Sequence, residues 1–137
     1  MDTTNRPSGV AAVLAATAPI ALTHFEGLLS LETDCWDVHD ALTNGPRDFV
    51  LLQTSASVES FANEHIDGAL HLHHSDINET TLQRWPDDTL FVVYCAGPHC
   101  NGADRGAAKL ARHGRRVKKM IGGKAGWVDE GFSFVAS

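Results

Sequence analysis

Three cysteines are the strongest nucleophile candidates in this 137-residue chain, and two of them, Cys95 and Cys100, bound a short loop reading CAGPHC. Cys95 follows a continuous apolar, β-branched and aromatic run, residues 90–94. Such a run reads as a parallel strand covered on both faces. A thiol at the carboxyl end of that strand faces the start of the next helix, expected near Asn101. Unpaired amides and the helix dipole there favour a thiolate and bind anions. The chemistry expected is nucleophilic attack by the Cys95 thiolate, with any persulfide, oxyanion or phosphate seated among loop amides. Ala96, Gly97, His99, Cys100 and Asn101 are the candidate substrate-binding residues, and Gly97 and Gly102 let the backbone approach closely. Pro98 has no N–H, so the cradle lacks one donor.

Cys100 has three readings. It can resolve a persulfide or sulfenate on Cys95 into a disulfide, accept sulfur in an internal relay, or simply fill the helix start. Cys35 reads as structural. Arg105, Lys118, Lys119 and Lys124 are candidate anion grips, with a solvated face as the plain alternative. Among eight histidines, His71 and His73 would share one face of a strand, but no third and fourth ligand stands at a recognisable spacing. Neither metal nor cofactor is expected.

The elements that must position Cys95 alternate between strand and helix. Asp34 or Thr33 can cap a helix in which Trp36, Val38, Ala41 and Leu42 share a face, ended by Asn44-Gly45-Pro46. Residues 49–52 read as a buried strand, residues 57–63 as a short helix and residues 69–72 as a short strand. A helical turn or two follows at residues 79–85. After the cysteine loop, Ala103, Ala107, Leu110 and Ala111 form a helical stripe ending at Gly114. Residues 117–121 make a last strand, and Gly122-Gly123 leads into a helix carrying Trp127. This order implies an α/β fold with a mostly parallel sheet. Ahead of it, the apolar stretch 10–22, interrupted by Thr17 and Pro19, reads as part of an N-terminal helical lead of about 25 residues.

Eleven Lys and Arg against 17 Asp and Glu give a formal charge of −6, and hydrophobic residues make up 43% of the chain. That is an ordinary globular composition, large enough for a core without staples. The acidic balance argues against nucleic acid or an anionic membrane as the main partner. The apolar stretch is too short to span a bilayer. Three cysteines cannot all pair within one chain, which points to a reducing compartment, so a cytoplasmic location is expected.

The run VVYCAGPHCNGADRGAAKLARHG, followed by VKKMIGGKAGWVDEGF, resembles the second half of a rhodanese homology domain. The matching positions are Tyr94, Cys95, Ala107, Ala108, Leu110, Gly114, Val117, Gly122, Gly123, Trp127, Gly131 and Phe132. Upstream, His65, Ile66, Gly68 and Ala69 match the family's first motif. The interval from Cys95 to the Ala pair is three residues longer than usual, read as an extra helical turn. This extension and the phrase LETDCWDVHDAL resemble a bacterial single-domain subgroup. The resemblance implies a rhodanese-like three-layer fold, a mostly parallel central sheet with helices on both faces. It places that domain at residues 30–137, after an N-terminal helical extension at 1–29.

The resemblance also implies a sulfurtransferase, with Cys95 as catalytic persulfide carrier between thiosulfate or a similar sulfur donor and a thiol or cyanide acceptor. Departures bear on the alternative. Gln53 and Ser55 stand where the family commonly has Asp-x-Arg, so neutral hydrogen bonds are expected in place of a buried ion pair. Glu64 replaces a Gly and Asp67 a Pro. With Cys100 and Pro98, these leave open a non-catalytic or redox-sensing module using Cys95 and Cys100. A phosphatase or arsenate reductase of related fold would need an Arg at position 101, which is Asn101. The helical lead has three readings: it covers the domain, contacts a second copy in a homodimer, or does neither.

Overall fold

In the computed structural model, which describes residues 5–137, the chain forms two compact units, one ending at Ser30 and one running from Leu31 to Ser137. The first carries most of helix α1, Ala18–Leu31. The helix therefore starts later and ends later than the apolar stretch 10–22 suggested, and residues 7–17 form turns and irregular chain. Pro19, which interrupts the apolar stretch, marks the helix start. It sits in the first turn, where a missing N–H costs nothing, and Ala21 N–H donates to Thr17 O at 3.0 Å. Among the described residues no helix is long and apolar enough to cross a membrane.

The second unit holds β1 (Glu32–Thr33), α2 (Cys35–Asn44), β2 (Val50–Gln53), α3 (Val58–Asn63), β3 (Leu70–His71), α4 (Glu79–Leu82), β4 (Leu90–Tyr94), α5 (Gly102–Arg112), β5 (Arg116–Met120) and α6 (Gly123–Asp129). The sheet order is β1-β5-β4-β2-β3, with every pairing parallel, so β4 is central. Asp34 caps α2 by accepting the Asp37 N–H at 2.8 Å, and Ser57 caps α3 by accepting the Ser60 N–H at 3.1 Å. The buried face of α2 is Cys35 and Val38, with Leu42 packed against the core, whereas Trp36 faces solvent. The expected face is thus rotated: Cys35, Val38 and Leu42 repeat at helical spacing and Trp36 falls off that stripe. β1 has only two residues, paired to Lys119 and Met120.

Period-two alternation along β4 divides the core into two layers. Val92 and Tyr94 pack with Cys35, Val38, Leu51, Ile66 and Trp127, under α2, α3 and α6. Phe91, Val93 and Cys95 pack on the opposite face with Leu52, Leu82, Ala103 and Leu110, under α4 and α5. The catalytic candidate is placed by this alternation, because the residue after the strand continues onto the α5 face. The contact stripe of α5 is Ala103, Gly106 and Leu110; Ala111 is exposed, contrary to expectation.

Gly106 is the close approach that seats α5. A Cβ there would lie 2.8 Å from Thr54 Cγ2 and 2.9 Å from Thr54 Cβ. Thr54 is fully buried, and its hydroxyl donates to Gly102 O at 2.9 Å, so one side chain fixes both the spacing and the start of the helix. An alanine ordinarily stabilises a helix interior by about 1 kcal/mol over glycine. At this position overpacking reverses the sign, and Gly106→Ala is expected to destabilise the domain by roughly 1–3 kcal/mol in urea unfolding. An unchanged or raised midpoint would show that α5 is not seated on Thr54.

Candidate active site

Cys95 stands one residue past β4, 3% exposed, with α5 on one side of it and the start of α6 on the other. The loop from Cys95 to Cys100 would normally present carbonyls and amides alike to its interior. Here two carbonyls are held from outside: Lys124 N–H donates to Cys95 O and Ala125 N–H to Ala96 O, both at 2.9 Å. These donors belong to the first turn of α6, where they have no partner within the helix. Cys100 N–H closes the loop by donating to Gly97 O at 3.0 Å. Gly123 makes the approach feasible. Its φ is +58°, and a Cβ there would overlap the Cys95 carbonyl oxygen and lie 2.9 Å from Gly97 N.

The two thiols of the loop influence each other and are shifted in opposite directions. Burial pushes the Cys95 thiol up. The Ala103 backbone pulls it down, but the Cys100 side chain adds to the rise and the net shift is upward. Its sulfur also lies 3.2 Å from Cys100 O, an acceptor that suits a neutral S–H. At Cys95 desolvation thus outweighs the amides that favour a thiolate. Cys100 goes the other way. Burial raises it, but the Gly102 N–H, 3.4 Å from its sulfur, the Cys95 thiol and the Ala96 backbone together outweigh burial, and the net shift is downward. Cys100 is half-exposed where Cys95 is buried.

The thiols open on a pocket of about 240 Å³. Its walls include Cys95, Gly97, Pro98, Cys100, Ala103 and the β5–α6 turn, and its charged groups are Asp104 and Lys119. Those two form an ion pair at 3.0 Å, so the pocket carries one charge of each sign. Lys124 is turned away. It pairs with Glu64 Oε1 at 3.0 Å and donates to Glu64 O at 3.1 Å, tying the end of α3 to the start of α6. Arg105 Nε donates to Asn101 Oδ1 at 3.1 Å.

The structure thus brings Cys95, Gly97 and Cys100 together on one pocket wall. Ala96 takes part through its backbone, while His99 and Asn101 lie on the exposed side of the loop. Asp104 was not foreseen. It lies one turn into α5, and its pairing with Lys119 of β5 becomes visible only when the two elements pack. Gln53 is 1% exposed and donates from Nε2 to Ser55 O at 3.2 Å, while its Oε1 has no partner among the described residues. The neutral hydrogen bonding expected at Gln53 is therefore made only in part. His71 Nε2 lies 2.8 Å from Ala56 O, and His73 Nδ1 accepts the Ser75 N–H at 3.1 Å, so each ring is engaged locally. Among the described residues no three His, Cys, Asp or Glu side chains converge as metal ligands. Cys35 is pushed up to about 11, by burial first and then by Asp34, Glu130 and Asp129. Its sulfur lies 3.6 Å from Ile121 O in the opposite core layer.

The model of the rhodanese-like domain family matches residues 37–130. Among solved structures, the BH2092 protein from Bacillus halodurans is similar at 32% sequence identity and a TM-score of 0.83, over 88% of this chain and 87% of that one. A rhodanese-related protein from Thermoplasma volcanium is similar at 17% identity and a TM-score of 0.60, over 78% and 99%. A thiosulfate sulfurtransferase from Pseudomonas aeruginosa is similar at 19% identity and a TM-score of 0.63, over 84% of this chain and 22% of that one. The last two likenesses concern the fold. No curated protein matches the chain.

The opposite shifts of the two thiols order their reactivity. Iodoacetamide near neutral pH is expected to alkylate Cys100 before Cys95, and Cys100→Ser is expected to speed alkylation of Cys95 by removing the neighbour that raises it. Peptide mapping reads both. Faster labelling of Cys95 in the unsubstituted protein would contradict this order.

Proposed function

The chain belongs to the rhodanese-like domain family, and from that premise we propose that it is a sulfurtransferase whose carrier is Cys95. The observation behind the reading is the setting of that thiol. It lies at the end of the central strand, in a loop whose first two carbonyls are held by the start of α6, and it opens on a pocket. In the first half-reaction the Cys95 thiol loses its proton to solvent and attacks the outer sulfur of the donor. With thiosulfate, a Cys95–sulfur bond forms, the sulfur–sulfur bond of the donor breaks, and sulfite leaves with the electron pair. In the second, an acceptor thiolate or cyanide attacks the outer sulfur and Cys95 leaves as thiolate. A covalent carrier of this kind gives ping-pong kinetics. The catalytic unit on this reading is residues 30–137, with 1–29 as an extension.

The balance of charge on the pocket bears on the donor. Asp104 offsets Lys119, so a doubly charged anion gains little there. An organic persulfide of lower charge suits this wall better than thiosulfate.

Cys95→Ser is expected to abolish sulfur transfer from any sulfane donor to cyanide or thiol while leaving the circular dichroism spectrum unchanged. Turnover by the folded variant would remove Cys95 from the reaction. Asp104→Asn is expected to raise kcat/KM for thiosulfate about two- to fivefold at low salt, with the gain shrinking as salt is added. A fall, or a gain insensitive to salt, would show that Asp104 does not act by offsetting Lys119.

A further inference from the structure

We propose that this site also discharges its own persulfide: Cys100 attacks Cys95 Sγ, closes a Cys95–Cys100 disulfide and releases the carried sulfur as sulfide. The inference rests on the sulfur-carrier reading of Cys95.

Geometry brings the two groups together. A point one bond from Gly102 Cα, where a Cβ would stand, is 3.5 Å from both Cys100 Sγ and Cys95 Cβ. The same point lies 3.1 Å from Ser55 Cβ, so both cysteines border one crowded spot at the start of α5, where no side chain of residue 102 intervenes. Cys100 O lies 3.2 Å from Cys95 Sγ, so the turn closed by the Cys100 N–H to Gly97 O bond folds residue 100 back over the nucleophile. Both sulfurs are free thiols, and both line the same pocket, which offers sulfide a way out and a reductant a way in. Cys35 cannot compete, since it packs in the other core layer. The attacking group is also the better prepared of the two. Cys100 takes a hydrogen bond from the Gly102 N–H and is shifted toward thiolate, and exchange requires a thiolate attacking a sulfur–sulfur bond.

The step balances. Cys100 gives up its proton and the outer sulfur of the persulfide takes one up; the Cys100 thiolate then forms a bond to Cys95 Sγ as the bond from Sγ to the outer sulfur breaks, and that sulfur leaves as HS⁻ with the electron pair. The sulfane sulfur is reduced and the cysteine pair is oxidised. Attack on the outer sulfur would only move the persulfide to Cys100 and is reversible in place, whereas attack on Sγ loses a diffusible product. A dithiol reductant then restores both thiols, its own sulfurs becoming a disulfide. The chemical class of activity is thus a reductase of sulfane sulfur, with the dithiol as electron donor.

The test uses fully reduced protein under anaerobic conditions, one equivalent of thiosulfate and no added thiol. Sulfide is trapped with monobromobimane and the intact mass is followed. The unsubstituted chain is expected to release sulfide and end two hydrogens lighter than its reduced form. Cys100→Ser and Cys100→Ala are each expected to hold the added sulfur, a gain of about 32 Da, and to release sulfide at least about tenfold more slowly. Addition of dithiothreitol should return the unsubstituted chain to its reduced mass and sustain sulfide production. Retention of the added sulfur by the unsubstituted chain, for as long as by the two variants, would overturn the discharge step and leave the carrier reading standing. Absence of both added mass and sulfide in all three proteins would overturn the carrier reading, and this step with it.

Discussion

The cysteine loop keeps its shape because its first two carbonyls are held from outside, by the Lys124 and Ala125 amides at the start of α6. Most other features of the site depend on that contact. It requires α6 to begin within reach of the loop, which the left-handed Gly123 allows and any side chain at that position would block. It is reinforced from α3 by the Glu64–Lys124 pair. On the opposite side, α5 is held at its own fixed distance by Thr54 against Gly106 and Gly102. Two helices anchored independently thus leave Cys95 between them on a short tether, and the sheet alternation decides which of them it faces.

Electrostatics at the site are set by burial more than by charge. Cys95 is desolvated and sits against the Cys100 carbonyl, and both features hold its proton more tightly than that of an ordinary thiol. Cys100, at the pocket edge with the Gly102 amide on its sulfur, takes the greater share of anionic character. The cations nearby are engaged: Lys119 by Asp104, Lys124 by Glu64, and Arg105 with Asn101. Anion affinity therefore falls mainly to backbone amides, in keeping with the chain's net charge of −6.

Much of this was legible in the sequence, and the reasons are local. The β4 run is apolar throughout because both of its faces are covered, and Asp34, Ser57 and the Gly122-Gly123 pair carry turn chemistry that marks where helices begin. Cys95 could be picked out because a thiol directly after such a strand must face the next helix start. What could not be read depended on distant partners. β1 is two residues that become a strand only by pairing with β5. The direction of Trp36 follows from where Cys35 and Val38 find the core. The Asp104–Lys119 pair joins α5 to β5, and the opposite proton affinities of Cys95 and Cys100 come from depth and from a carbonyl that the loop turns inward. The start of α1 was blurred because the apolar stretch 10–22 runs across it, whereas Pro19 in the first turn marks where the helix begins.

The central claim is that Cys95, and not its more acidic neighbour, takes the sulfur. The most direct measurement is a single turnover with thiosulfate, quenched early with an alkylating agent and resolved by fragmentation of the peptide that spans both cysteines. The account predicts that the added sulfur, trapped as the alkylated persulfide, sits on Cys95. Added sulfur on Cys100, with Cys95 alkylated directly, would contradict it.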